Sequence, residues 1–149
     1  MTNGQRLSKK SLDGAKELKS LGSKRTAYQY TEPSKDGLET FPNPHPANSY
    51  EVVLATNEFT SLCPKTGQPD FASIEIRYIP NQRCVETKSL KLYLFAFRQY
   101  GAFMEDLTNK ILNDLVSVLH PREITITGSF ASRGGITLNV TTKWSELDD

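Results

Sequence analysis

The chain has 149 residues, 37% hydrophobic and 23% charged, with a net charge of +1. That length fits one domain able to build its own core, and that composition excludes a disordered chain. So even a charge balance gives no reason to expect direct nucleic-acid binding, and no apolar run approaches the roughly 20 residues that cross a bilayer.

The N-terminal segment departs from this balance. Arg6, Lys9, Lys10, Lys16, Lys19, Lys24 and Arg25 stand against only Asp13 and Glu17. Residues 1–30 read as a polar, partly ordered tail, with an RNA-binding arm as the other reading. The segment has no apolar stretch of the secretory kind, so a cytoplasmic location is expected. A single catalytic domain is expected over 31–149. Pro33, Pro42, Pro44 and Pro46 make residues 33–48 an extended loop.

Ordered structure is predicted from Tyr50. Tyr50, Val52 and Leu54 alternate with Glu51, Val53 and Ala55, the pattern of a strand. Leu62 to Asp70 holds two prolines and a glycine and reads as a loop. Ala72, Ile74, Ile76 and Tyr78 then alternate with Ser73, Glu75 and Arg77, a half-buried strand stopped by Pro80. From Lys88 to Tyr100 the spacing turns helical, with Leu90, Leu94 and Phe97 on one face. A second helix is predicted from Phe103 to His120, with Leu107, Ile111, Leu115 and Val118 on its apolar stripe and Pro121 ending it. Ile124 and Ile126 mark a third strand. Ile136, Leu138 and Val140 mark a fourth, after a turn at Arg133-Gly134-Gly135. The order β-β-α-α-β-β predicts an α+β fold: one antiparallel four-stranded sheet with two helices on one face. Such a sheet has unpaired edges, which oligomerisation would cover.

Few residues carry chemistry. The two histidines, His45 and His120, rule out a three-histidine zinc site, and no other metal-ligand spacing occurs. His120 reads as a partner of a helix C-terminus, Trp144 as a packing anchor and Cys84 as incidental. Cys63 lies in a loop after a strand, with Lys65 two residues on. A nearby ammonium favours the thiolate, the reactive form, although free cysteine is often just a small buried hydrophobe. Asp70 follows across a Pro/Gly turn, placed either as an acid or base for the sulfur or as a turn residue. Lys88, Lys91 and Arg98 fall on one helical stripe, either an anion site or a solvated face. Glu105 and Asp106 stand in a helix's first turn, where acids complement the dipole. A glutamate there can also accept two hydrogen bonds from a purine edge. No GxGxxG or GxxxxGK[ST] occurs, so a bound dinucleotide would use neither a Rossmann turn nor a P-loop.

Three blocks in order resemble the QueF family of 7-cyano-7-deazaguanine reductases. They are the loop Phe59-Thr60-Ser61-Leu62-Cys63-Pro64-Lys65-Thr66-Gly67-Gln68-Pro69-Asp70-Phe71, the run Glu86-Thr87-Lys88-Ser89-Leu90-Lys91-Leu92-Tyr93, and Arg133-Gly134-Gly135-Ile136. The resemblance spans about residues 27–142. It implies the tunnelling fold, which has the same β-β-α-α-β-β order. It implies two stacked pentameric rings, with active sites between neighbouring subunits. It implies that Cys63 adds to the nitrile carbon to give a thioimide and that Asp70 donates the proton. By the same resemblance Val85, Glu86, Thr87, Met104 and Glu105 bind the deazaguanine, and Lys88, Lys91 and Arg133 grip the phosphates of NADPH. Two hydride transfers would then give the aminomethyl product, a precursor of the tRNA base queuosine. The chain departs from the family at Met104, where the family usually has histidine. Two other activities fit the same residues less well: an amidinotransferase that resolves the thioimide with ammonia on tRNA, and a non-catalytic purine-binding ring protein.

Overall fold

The computed structural model describes Tyr28, Tyr30 and residues 32–148, so the basic segment 1–26 lies outside the described residues. Six strands and two helices follow a short turn of 3-10 helix at Lys35–Gly37. They are β1 (Thr40–Pro42), β2 (Val52–Leu62), β3 (Pro69–Ile79), β4 (Arg83–Val85), α1 (Thr87–Phe95), α2 (Met104–Leu119), β5 (Glu123–Arg133) and β6 (Ile136–Ser145). Strands β2-β3-β5-β6 form one antiparallel sheet in that order, and β1 pairs with β4 in a separate ribbon. The α+β architecture predicted from periodicity is therefore present, with β2 and β6 as unpaired edges.

Alternation explains which face is covered. On β3, Ala72, Ile74, Ile76 and Tyr78 are buried, while Phe71, Ser73 and Arg77 are exposed. On β5, Ile124, Ile126 and Phe130 are buried beside them. The helices supply Leu90, Tyr93, Leu107, Ile111, Leu115 and Leu119 to the same core. Burying each such side chain contributes about 1.5–3 kcal/mol, which makes this layer the main source of stability.

One glycine sets how closely α2 lies on the sheet. A Cβ at Gly128 would stand 2.9 Å from Thr108 Oγ1 and 2.8 Å from Phe130 Cε2. Thr108 is fully buried, and its hydroxyl donates to the Met104 carbonyl, which ties off the first turn of α2. Gly128→Ala would push that turn away from the sheet. A loss of about 1–3 kcal/mol is expected, read as a lowered Tm in thermal unfolding.

Four details differ from the sequence reading. The 33–48 loop contains β1, whose partner β4 carries Cys84. That cysteine is 5% exposed, with its Sγ 3.7 Å from Tyr50 Oη, so it belongs to the core and not to a polar hairpin. The first helix stops at Phe95, short of Tyr100. Its last bonds shorten to three-residue spacing (Phe97 N–H to Leu94 O, Arg98 N–H to Phe95 O), and such tight turns end a helix. Arg98 therefore leaves the stripe of Lys88 and Lys91. Finally, β2 runs on to Leu62 and β3 starts at Pro69, which trims the loop that carries Cys63 to Cys63–Gln68. Residue His120 closes α2 in the left-handed conformation, with φ 44°, and Pro121 follows.

Candidate active site

The loop after β2 is built to present a sulfur. Cys63 N–H donates to the Gln68 carbonyl at 2.8 Å, and Gly67 N–H donates back to the Cys63 carbonyl at 3.0 Å. Gly67 takes φ 71°, which side chains rarely adopt, and so closes the turn. The Thr66 hydroxyl, then the Thr66 and Lys65 amides of this turn, and lastly the Arg133 guanidinium from the end of β5 face the half-buried Cys63 thiol. Led by the Thr66 hydroxyl, these donors pull its pKa down to about 7 against partial desolvation. Lys65 helps through its backbone N–H and not through its ammonium, contrary to the expectation from sequence. Alkylation of Cys63 by iodoacetamide should reach half its limiting rate near pH 7, whereas an ordinary thiol does so near about 8.5. A pH–rate profile checks this.

Asp70 opens β3, and its register partner on β2 is Ser61. Both are buried, Asp70 at 5% exposed and Ser61 at 0%. Arg133, the last residue of β5, reaches Asp70 with Nη2 2.6 Å from Oδ1. Cys63, Asp70 and Arg133 thus converge at one end of the sheet. The same end receives the start of α2. Leu62 N–H donates to the Tyr100 carbonyl and Ala102 N–H to the Leu62 carbonyl, which ties the end of β2 to the segment entering Met104 and Glu105. Glu105 is exposed in the first turn of α2, a helix whose N-cap, Phe103, offers no side-chain bond. Among the described residues, the Glu105 carboxylate has no ion-pair partner, so it is available to a ligand edge.

The remaining site residues sit elsewhere. Val85 N–H donates to Tyr78 Oη at 3.1 Å, and Tyr78 pairs with Val52 at the far end of β2. From Val52 to Leu62 the strand rises roughly 30 Å at about 3.3 Å per residue. Val85, Glu86 and Thr87 line a cavity of about 390 Å3 there, with Tyr50, Tyr78 and Cys84. That is a size typical of small-molecule sites. Glu86 also caps α1, accepting from Lys88 N–H and Ser89 N–H at 2.7 Å each. Those two amides, Lys88's first, lower the pKa of its carboxyl. Lys88 and Lys91 are exposed on that helix, Lys91 with its ammonium 5.9 Å from the centre of the Tyr28 ring. Within one protomer, then, Cys63, Asp70, Arg133 and Glu105 occupy one end and Val85 lies at the other, while Thr87 and Lys91 line a cavity between them beside Leu54, Phe59 and Thr60. Arg133 is apart from the two lysines with which the sequence reading grouped it. Ser61 went unnoticed in that reading, although Phe59, Ser61 and Cys63 alternate along one face.

Residues 69–148 match the QueF family, described as QueF-like protein. The chain is 55% identical over 116 residues to the NADPH-dependent 7-cyano-7-deazaguanine reductase of Anaeromyxobacter sp. (strain K), covering 78% of this chain and 94% of that relative. The chain belongs to the QueF family. The reductase of the same name from Bacillus mycoides (strain KBAB4) is 54% identical over 124 residues, 83% of this chain and 74% of the relative. The solved apo structure of the archaeosine synthase QueF-Like superposes with a TM-score of 0.59 at 20% identity, over 62% of this chain and 91% of that one. At that identity the likeness speaks for a shared fold alone.

Met104 opens α2 beside Glu105 and is half-buried against the core. A thioether neither donates a hydrogen bond nor carries a proton, whereas an imidazole does both. If the QueF pocket uses a histidine there, Met104→His should raise turnover several-fold. Steady-state rates of the two proteins decide the point.

Proposed function

We propose that this chain reduces the nitrile of 7-cyano-7-deazaguanine to an aminomethyl group, with NADPH as reductant and Cys63 as covalent nucleophile. The observation that carries this reading is Cys63 itself, a half-buried thiol brought to about 7 at the same end of the sheet as the buried Asp70. A nitrile carbon is a weak electrophile, and a readily ionised thiol with a carboxyl group near enough to take its proton and return it to the nitrogen is what addition requires. The proposal agrees with the activity named for the Anaeromyxobacter and Bacillus relatives.

The chain's own residues divide the work. Cys63 adds to the nitrile carbon, and Asp70 delivers the proton to the nitrogen. Glu105 and the Val85–Thr87 segment hold the deazaguanine ring. NADPH supplies hydride when bound. The residues at the start of α1 fit its phosphates in one particular way. Glu86 already occupies the Lys88 and Ser89 amides, so the helix N-terminus is not open to an anion. The exposed Lys88 and Lys91 ammonium groups would meet the phosphates instead.

The separation of the two halves argues for assembly. A purine nitrile is far shorter than the roughly 30 Å between the Val52 and Leu62 ends of β2. One protomer's Cys63 would therefore work with the Val85–Thr87 cavity of a neighbour. Closed rings joined through the free edges β2 and β6 supply that arrangement, and two stacked pentamers are the form proposed. Among the described residues no helix is long and apolar enough to cross a membrane. A reducing cytoplasm would keep both cysteines as the free thiols they are here.

Loss of NADPH absorbance after adding the nitrile tests the activity. About two NADPH oxidised per nitrile, the demand of a four-electron reduction by hydride pairs, is the expected result. Consumption of nitrile with ammonia and no NADPH oxidation would favour the amidinotransferase instead.

A further inference from the structure

Arg133 sits against Asp70 and faces Cys63, at the end of the sheet away from Val85. It is the last residue of β5, where the register shifts between Phe130 and Arg133, and the hairpin then turns through Gly134 and Gly135 at φ 55° and 81°. That bulged, tight end aims the guanidinium inward. Its Nη2 is buried and lies 2.6 Å from Asp70 Oδ1, yet no N–H of that nitrogen points along a proper hydrogen bond. The contact is a close charge pair that leaves donors in hand. Across the strand pair from Asp70, the buried Ser61 hydroxyl also has no partner among the described residues. Buried polar groups are seldom left unmatched, and two beside one buried carboxylate mark a cradle that a further polar atom completes.

We propose that Arg133 is a positioning residue for the Cys63–Asp70 pair, holding Asp70 as the carboxylate that takes the thiol proton and returns it to the nitrile nitrogen. This rests on the proposed role of Cys63. In the ion pair Asp70 is a proton acceptor. As the Cys63 S–H bond breaks, its proton passes to Asp70 and the sulfur bonds to the nitrile carbon. One π bond of the nitrile opens, and Asp70 gives the proton to the nitrogen. The sum is addition of S–H across C≡N, with no net change in charge and no oxidant or reductant. Arg133 stays paired throughout, near the sulfur on one side and the carboxylate on the other.

The test is adduct formation without NADPH, followed by intact mass over time, for the wild-type protein, Arg133→Gln, Arg133→Lys, Asp70→Asn and the Asp70→Asn/Arg133→Gln double variant. Arg133→Gln is expected to slow the adduct roughly a hundredfold, the scale of a misplaced reacting group. Arg133→Lys keeps the charge but not the two-pronged geometry, and should recover part of the rate. On the Asp70→Asn background, Arg133→Gln should add little, because both changes act through one carboxylate. A wild-type adduct rate in Arg133→Gln, with only KM for NADPH raised, overturns the proposal and leaves Arg133 a phosphate ligand. Equal and additive losses in both backgrounds overturn it too. No adduct in the wild-type protein would sink the role of Cys63 first, and this proposal with it.

Discussion

Cys63→Ala is expected to abolish nitrile-dependent NADPH oxidation, with a loss of about 10^4-fold or more, while the protein stays folded. Every donor around the thiol exists to serve a negative sulfur. The Thr66 hydroxyl and the Thr66 and Lys65 amides converge on it from a turn closed by Gly67. Alanine keeps that turn, since its backbone bonds to Gln68 and Gly67 do not involve the side chain. Tm should therefore move little. Binding of the deazaguanine, which this account assigns to Glu105 and Val85–Thr87, should survive. Calorimetry with the nitrile would show near-normal affinity beside absent turnover. A variant that still turns over would remove the nucleophile from Cys63.

Asp70→Asn comes second, with an expected loss of about 10^2–10^4-fold in adduct formation, the usual worth of a positioned acid or base. Asparagine has nearly the same shape, so the strand start is preserved. It cannot take the thiol proton, and it leaves Arg133 without its counter-charge. The Arg133 side chain is 37% exposed and can rehydrate, which limits the stability cost to about 1–3 kcal/mol. Rates of adduct formation and thermal unfolding, measured on one preparation, separate the two effects. A near-normal adduct rate would reassign the proton.

Much of the sheet was legible because its pattern is plain. Ala72 to Tyr78 alternates without interruption, and Ile124 and Ile126 repeat it. The second half of β2 was hidden by a bulge. Between Thr56 and Phe59 the strand gains a residue against β3, which breaks the period of two. Beyond the bulge the buried face carries Ser61, so hydrophobicity no longer marks the inside. Strands β1 and β4, three residues each and one ending in proline, have no periodicity to detect.

The site was legible to a different degree. Residue type and turn chemistry marked Cys63 and Asp70 only as candidates, with a small buried hydrophobe and a turn residue as the plainer readings, and their roles came from the family resemblance. How the thiol is activated was not legible, because spacing points to the Lys65 ammonium and the structure uses its amide. The Arg133–Asp70 pair joins β5 to β3, a contact that no local pattern encodes. Glu86 looked like a pocket residue and is also the cap that fixes α1. Nothing in one chain's sequence says that Cys63 and Val85 lie at opposite ends of a strand pair.

The most direct test of the account is the intact mass of the protein mixed with 7-cyano-7-deazaguanine, before and after NADPH. The expected result is a gain equal to the whole nitrile, located on Cys63 and absent in Cys63→Ala, because addition expels no leaving group. NADPH should then clear the adduct and return the free thiol. Turnover with no adduct at any time, or an adduct that NADPH leaves in place, would contradict it.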